Sequence, residues 1–170
     1  MKRKKDEIEK MANFILKKLK EQISNYKDIR EFLEKVVEYL GGRIEISNTP
    51  VAFEEENGSL LINPDGTFVI YLSPITSPLR DNFTIAHELG HYFLHYPHGN
   101  KPPYPVKFTR FGGGILETEA NMFAASFLMP EEEMKKAIKE YGKENILLIA
   151  SKFNVSYQAV EIRLKTLGYD

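Results

Sequence analysis

Thr84-Ile85-Ala86-His87-Glu88-Leu89-Gly90-His91 decides how the rest of the chain is read. Residues four apart on an α-helix sit one turn above each other, so His87 and His91 can share one metal ion. Glu88 stands beside the first histidine, placed to take a proton from a water that such a metal activates. The pattern points to metal-dependent hydrolysis, with a zinc peptidase as the first reading. The flanks support a helix over 77–96. Ser77 can cap free amides, Pro78 suits the first helical position, and Pro97 ends the run. Phe83, Ile85, Leu89 and Phe93 can anchor it in a core. Gly90 is a poor helix former in mid-helix, which asks for a close approach there, and a metal beside it is one reason.

Zinc needs a third protein ligand and leaves a fourth position to water. His95 continues the i+4 series, but it lies about 12 Å from His87 along a helix of ~1.5 Å rise. Bonds of about 2 Å cannot bridge that span, so His95 belongs in a supporting role behind a ligand. The longer motif with a third histidine is absent: Leu94 holds its glycine position and Pro97 its histidine position. With no cysteine in the chain, thiolate ligands are excluded. A downstream carboxylate remains, and Leu116-Glu117-Thr118-Glu119-Ala120-Asn121 offers two on opposite faces of a helix over 116–129. Glu117 shares its face with Asn121, which could hydrogen-bond a ligating histidine, and with small Ala124. These neighbours favour Glu117 over Glu119.

Outward from this centre, apolar spacing predicts an amphipathic helix over 6–22 and a second over 28–40, ended by Gly41-Gly42. Short β-rich segments follow at 43–46, 51–54, 59–62 and 68–72, with a hairpin turn at Asn63-Pro64-Asp65-Gly66. A small antiparallel sheet is expected, with 68–72 as the edge beside the metal helix. Residues 97–115 are rich in Pro and Gly and read as a loop lining the cleft. Helices are expected over 131–141, 143–153 and 156–167.

The 170 residues have 42% hydrophobic and 28% charged content, which describes a globular protein of modest size. A net charge of -1 gives no overall basic field for nucleic acid. The lack of cysteine and of a secretory signature fits the cytoplasm, and no apolar run reaches membrane-spanning length. The expected class is α+β: a mostly helical, zincin-like (gluzincin-type) core with a sheet of three or four strands. The organisation expected is N-terminal helices over 1–42, a peptidase core over 43–130, and a helix-turn-helix-like unit over 131–170 packed on it. A monomer or weak dimer is expected.

Phe83 to His95 and Glu117 to Pro130, taken together in that order, resemble the ImmA/IrrE family of metallo-endopeptidases. Val155-Ser156-Tyr157-Gln158-Ala159-Val160-Glu161-Ile162-Arg163-Leu164 is similar to that family too, and the likeness runs from about residue 60 to the end. The resemblance implies one zinc ion per chain held by His87, His91 and Glu117, with Mn²⁺ or Fe²⁺ as other occupants of such a site. It implies Glu88 as the catalytic base. It also implies a protein substrate: a helix-turn-helix repressor of bacteria or mobile elements, cut at one site. For the oxyanion, the sequence offers Tyr92, His95, Tyr96, His98, Tyr104 and Arg110 without choosing.

The rival reading is a DNA-binding or protein-interaction regulator whose metal site is structural. Residues 146–167 have helix-turn-helix spacing. However, residues 150–170 hold only Lys152, Arg163 and Lys165 against Glu161 and Asp170, too little positive charge for a recognition helix.

Overall fold

The apolar stripe Ile8, Ala12, Leu16 and Leu19 gives α1 (Lys5–Gln22) one buried face. In α2 (Ile29–Tyr39), Phe32, Leu33, Val36 and Val37 do the same, and the Asp28 side chain caps the helix by accepting from the Glu31 amide. The structure is a computed structural model and describes residues 3–47, 58–109 and 114–169. The segment 51–54, expected as a strand, lies outside the described residues.

Strands β1 (Gly42–Ile46), β2 (Ser59–Ile62), β3 (Phe68–Leu72) and β4 (Val106–Thr109) form one sheet in the order β1-β3-β2-β4. The expected hairpin joins β2 and β3: the Gly66 amide donates to the Asn63 carbonyl at 2.9 Å, and Gly66 has φ +92, where glycine is unstrained. Two features differ from expectation. β1 pairs with β3 in parallel, so the sheet is mixed rather than antiparallel. That arrangement puts Phe68–Leu72 between two neighbours, and it is an interior strand rather than the edge. The edge beside β2 is β4, which falls within the segment 97–115 expected as loop. Pro105 and the surrounding prolines and glycines masked four residues with strand-like side chains.

Helix α3 (Pro78–Leu94) carries the decisive stretch, and every residue from Thr84 to His91 is buried. Ser77 accepts from the Arg80 amide and Pro78 opens the helix, as its sequence requires. Helices α4 (Ile115–Leu128), α5 (Glu131–Tyr141), α6 (Ile146–Phe153) and α7 (Tyr157–Thr166) follow, all starting and ending within three residues of the expected positions. Asn154 ends α6 in the left-handed conformation at φ 51, and its carbonyl accepts from Asn82 Nδ2 of α3 at 3.2 Å. Thus the tight turn before α7 is tied to the central helix. One apolar cluster runs through the molecule, from Ile8 of α1 to Leu164 of α7.

A buried ion pair joins α1 to α7. Arg163 is 2% exposed; its Nη1 and Nη2 donate to Glu9 at 2.8 and 2.6 Å and its Nε to the Met129 carbonyl at 2.9 Å. Ser126 of α4 donates to the same carboxylate at 2.6 Å. Burial alone would raise the Glu9 carboxyl, but the hydrogen bonds from Arg163 and Ser126 outweigh it and hold it below its ordinary 4.5. A depressed carboxyl stabilises the fold above its unfolded value, and that contribution fades as pH falls through the folded one. Glu9→Gln is expected to cost on the order of 3 kcal/mol at neutral pH, because it leaves Arg163 as an uncompensated buried charge. In urea titrations from pH 7 downward, the gap between wild type and variant should narrow below about pH 4.5.

Candidate metal centre

Gly90 is where α3 and α4 meet. A Cβ placed on it would lie 3.1 Å from both Cα and O of Ala120 and 3.3 Å from Cβ of Phe123. The glycine therefore serves backbone-to-backbone packing against α4, rather than bulk removal beside a metal. That close approach brings Glu117, in the first turn of α4, over the histidine face of α3.

His87, His91 and Glu117 come together there. The two Nε2 atoms are 3.1 Å apart; Glu117 Oε2 is 3.2 Å from His87 Nε2, and Glu117 Oε1 is 2.9 Å from His91 Nε2. Among the described residues this is the group of three or more His, Asp or Glu side chains arranged to hold a metal ion. Ligands about 2.0–2.1 Å from a tetrahedral zinc stand about 3.3 Å from one another, so the spacing suits one ion.

Hydrogen bonds behind the rings decide which atoms carry lone pairs. His87 Nδ1 meets Asn121 Oδ1 at 2.8 Å, so Nδ1 donates and Nε2 is left as an acceptor facing the group. His91 Nδ1 meets His95 Nδ1 at 2.9 Å, and His95 Nε2 meets Glu119 Oε2 at 3.2 Å. A carboxylate only accepts, so His95 donates through Nε2 and accepts through Nδ1. His91 must then donate through Nδ1, which again leaves Nε2 as an acceptor. Two imidazole lone pairs and a carboxylate thus converge on one point, a donor set that a divalent cation fits.

The electrostatics agree. Burial, joined by the neighbouring His87 ring, pushes His91 down to about 3 despite the pull of Glu117, so the ring is neutral at physiological pH. Burial likewise lowers His95 against the opposing effect of Glu119. Burial would raise the Glu119 carboxyl, but the backbone amide and guanidinium of Arg3, with His95, hold it below its ordinary range.

Each residue singled out by the sequence has a definite place. Asn121 stands behind His87, and His95 behind His91. Glu119 is 1% exposed and faces His95 and Arg3 rather than the group of three. Glu88 is 1% exposed, and its carboxylate lies beside Gly58: a Cβ there would be 3.6 Å from Glu88 Oε1 and 2.4 Å from Thr84 Cγ2. Of the oxyanion candidates, Tyr92, Tyr96 and His98 pack on one another, and Tyr92 also packs tilted against Phe68 with ring centroids 4.7 Å apart. Tyr104 is exposed, and Arg110 lies outside the described residues. Two participants were not legible in the sequence. Phe108 of β4 stacks on the His91 ring at 4.9 Å, and Arg3 binds Glu119. The Val-x-Phe alternation of β4 was a usable signal for the first; nothing local marked the second.

Residues 37–165 match the family model described as IrrE N-terminal-like domain, a peptidase family. The chain is 32% identical over 102 residues to a protein of Bacillus subtilis named Metallopeptidase ImmA, covering 58% of this chain and 57% of that protein. Its fold is similar to a solved structure titled Mycobacterium tuberculosis transcriptional regulator, with TM-score 0.64 and 19% identity over 93% of this chain and 46% of that one. The chain therefore spans about half the length of these relatives.

Because Asn121 sets the His87 tautomer, Asn121→Leu is expected to weaken metal binding by roughly 10–100-fold with the fold retained. Competition with a chromophoric chelator, alongside circular dichroism, checks this.

Proposed function

The chain belongs to the IrrE N-terminal-like domain family, and from that premise we propose that it is a zinc-dependent endopeptidase. The observation that carries the reading is the convergence of the His87 and His91 lone pairs with the Glu117 carboxylate, with Glu88 following His87 in the chain. Two nitrogens and one oxygen, with no thiolate available, suit zinc. When bound, zinc supplies a Lewis acid that activates water near neutral pH and polarises a carbonyl. Glu88 takes the proton from the attacking water and delivers it to the leaving nitrogen of the scissile bond. Asn121 and His95 hold the two histidine rings in the orientation the ion requires.

A protein substrate fits the surroundings. β4 is an edge strand whose Phe108 touches His91, so an extended peptide added beside it would pass the metal ligands. Glu117 is 18% exposed, and Ile115 and Leu116 just before it are exposed apolar side chains at the start of α4. They offer contacts for residues flanking the scissile bond. Within this reading the substrate is a helix-turn-helix repressor, on the strength of the family resemblance. The metal centre then acts in hydrolysis, not as a structural staple.

The DNA-binding reading loses support from the C-terminal unit. Arg163 is buried against Glu9, and Lys152 is paired with Glu140 at 3.0 Å. The exposed face of α7 presents Tyr157, Gln158, Ile162 and Lys165, too little charge to hold a phosphate backbone. No helix among the described residues is long and apolar enough to cross a membrane.

Glu88→Gln should keep its zinc and lose at least about 100-fold in cleavage rate against the repressor encoded nearest to it. Chelated wild type should lose activity and regain it with added zinc. Undiminished cleavage by both the variant and the metal-free protein would show the peptidase reading to be wrong.

A further inference from the structure

Arg3 lies ahead of α1 and outside residues 37–165, the part that matches the family. It nevertheless grips both helices of the metal centre. Its backbone N–H donates to Glu119 Oε1 at 2.7 Å and its Nη1 to Oε2 at 2.8 Å, on α4. Its Nη2 donates to the Leu94 carbonyl at 2.5 Å, where α3 ends and its orphan carbonyls and dipole favour a cation. Glu119 takes its remaining hydrogen bond from His95, and His95 accepts from His91. An unbroken series of contacts therefore runs from Arg3 to His91: guanidinium, carboxylate, imidazole, imidazole.

We propose that Arg3 is a positioning residue for the metal centre, fixing His91 through Glu119 and His95. The inference rests on the reading of His87, His91 and Glu117 as metal ligands. Among the described residues, Arg3 supplies two of the three hydrogen bonds that the Glu119 carboxylate receives, and it approaches both oxygens, which fixes the carboxylate plane. A carboxylate so fixed presents Oε2 to His95 Nε2 and orders the donors outward from His91. Without Arg3 the Glu119 side chain keeps, among the described residues, the His95 contact alone. Glu119 can then rotate, His95 loses its fixed acceptor, and His91 loses the partner that holds its ring. Arrangements that hold a ligand's remaining ring nitrogen are worth about 10–100-fold in metal affinity. The special feature here is that the last member comes from a residue 116 positions away in sequence, on a segment the family match does not include.

The test separates this role from that of a simple clasp. Zinc dissociation constants would be measured by chelator competition for wild type, Arg3→Ala, Arg3→Lys, Glu119→Gln and the Arg3→Ala/Glu119→Gln double variant. The Co²⁺ absorption spectrum and the unfolding midpoint of each metal-free protein would accompany them. The expectation is a weakening of about 10–100-fold in Arg3→Ala, with an altered Co²⁺ spectrum. Partial recovery is expected in Arg3→Lys, whose ammonium supplies charge but no fork. Glu119→Gln should weaken binding too, because its amide can turn a donor toward His95 and reverse the order. The double variant should resemble Glu119→Gln alone, since both act through one path. If Arg3→Ala lowers only the unfolding midpoint while zinc affinity and the Co²⁺ spectrum match wild type, the inference is overturned and the metal site stands. If wild type itself binds neither ion, both this inference and the peptidase reading fall.

Discussion

Helices α3 and α4 touch backbone to backbone at Gly90 and Ala120, and the candidate site depends on that contact. Metal ligands from two helices must meet within a few tenths of an ångström, which loops rarely achieve and packed helices do. Removing one side chain from the interface sets the interaxial distance at a minimum. The rest follows from helical periodicity: His87 and His91 lie either side of Gly90's own turn, while Glu117 and Asn121 flank Ala120. A larger residue at 90 would meet the backbone of α4, which cannot yield as a flexible side chain can.

Geometry alone does not make three side chains into a metal site; the lone pairs must also point the right way. On the His91 side this is settled by an acceptor that has no alternative. Glu119 can only accept, and that constraint passes through His95 to His91. On the other side Asn121 performs the same service for His87 in one step. The two histidines are thus oriented by unequal means, one by a neighbour on the partner helix and one by a series that ends outside the central helices. Low polarity around these groups strengthens each contact, and it also makes any unmet donor or acceptor costly.

Sequence and structure part company along a line set by chain separation. Short-range features were legible: the two-histidine face of α3, the cap at Ser77, the Asn63–Gly66 turn, and Asn121 one turn beyond Glu117. All of these arise from a period of 3.6 residues or from a fixed turn geometry. Pairings between distant segments were not legible. The parallel alliance of β1 with β3, the partner of Gly90, and the grip of Arg3 on Glu119 each join residues that no local pattern relates. The mistaken edge assignment of Phe68–Leu72 has the same origin. Its strand character was local, but its place in the sheet depended on β1 pairing along its other side, across a long stretch of chain.

The contacts of α1 have a topological consequence. Lys5 Nζ donates to the Thr166 carbonyl at the end of α7, and Glu9 binds Arg163 one turn earlier. Helices α1 and α7 are therefore tied by their side chains, and the start of α1 lies close to the end of α7. Where two such helix ends meet, the order of elements along the chain is separable from their packing. Joining the two helices through a short linker and reopening the chain at the exposed turn around Gly99 would leave every buried contact described above in place. The three candidate ligands would then come from opposite ends of the re-ordered chain, Glu117 near its start and His87 and His91 near its finish, with the contact of α3 on α4 unchanged.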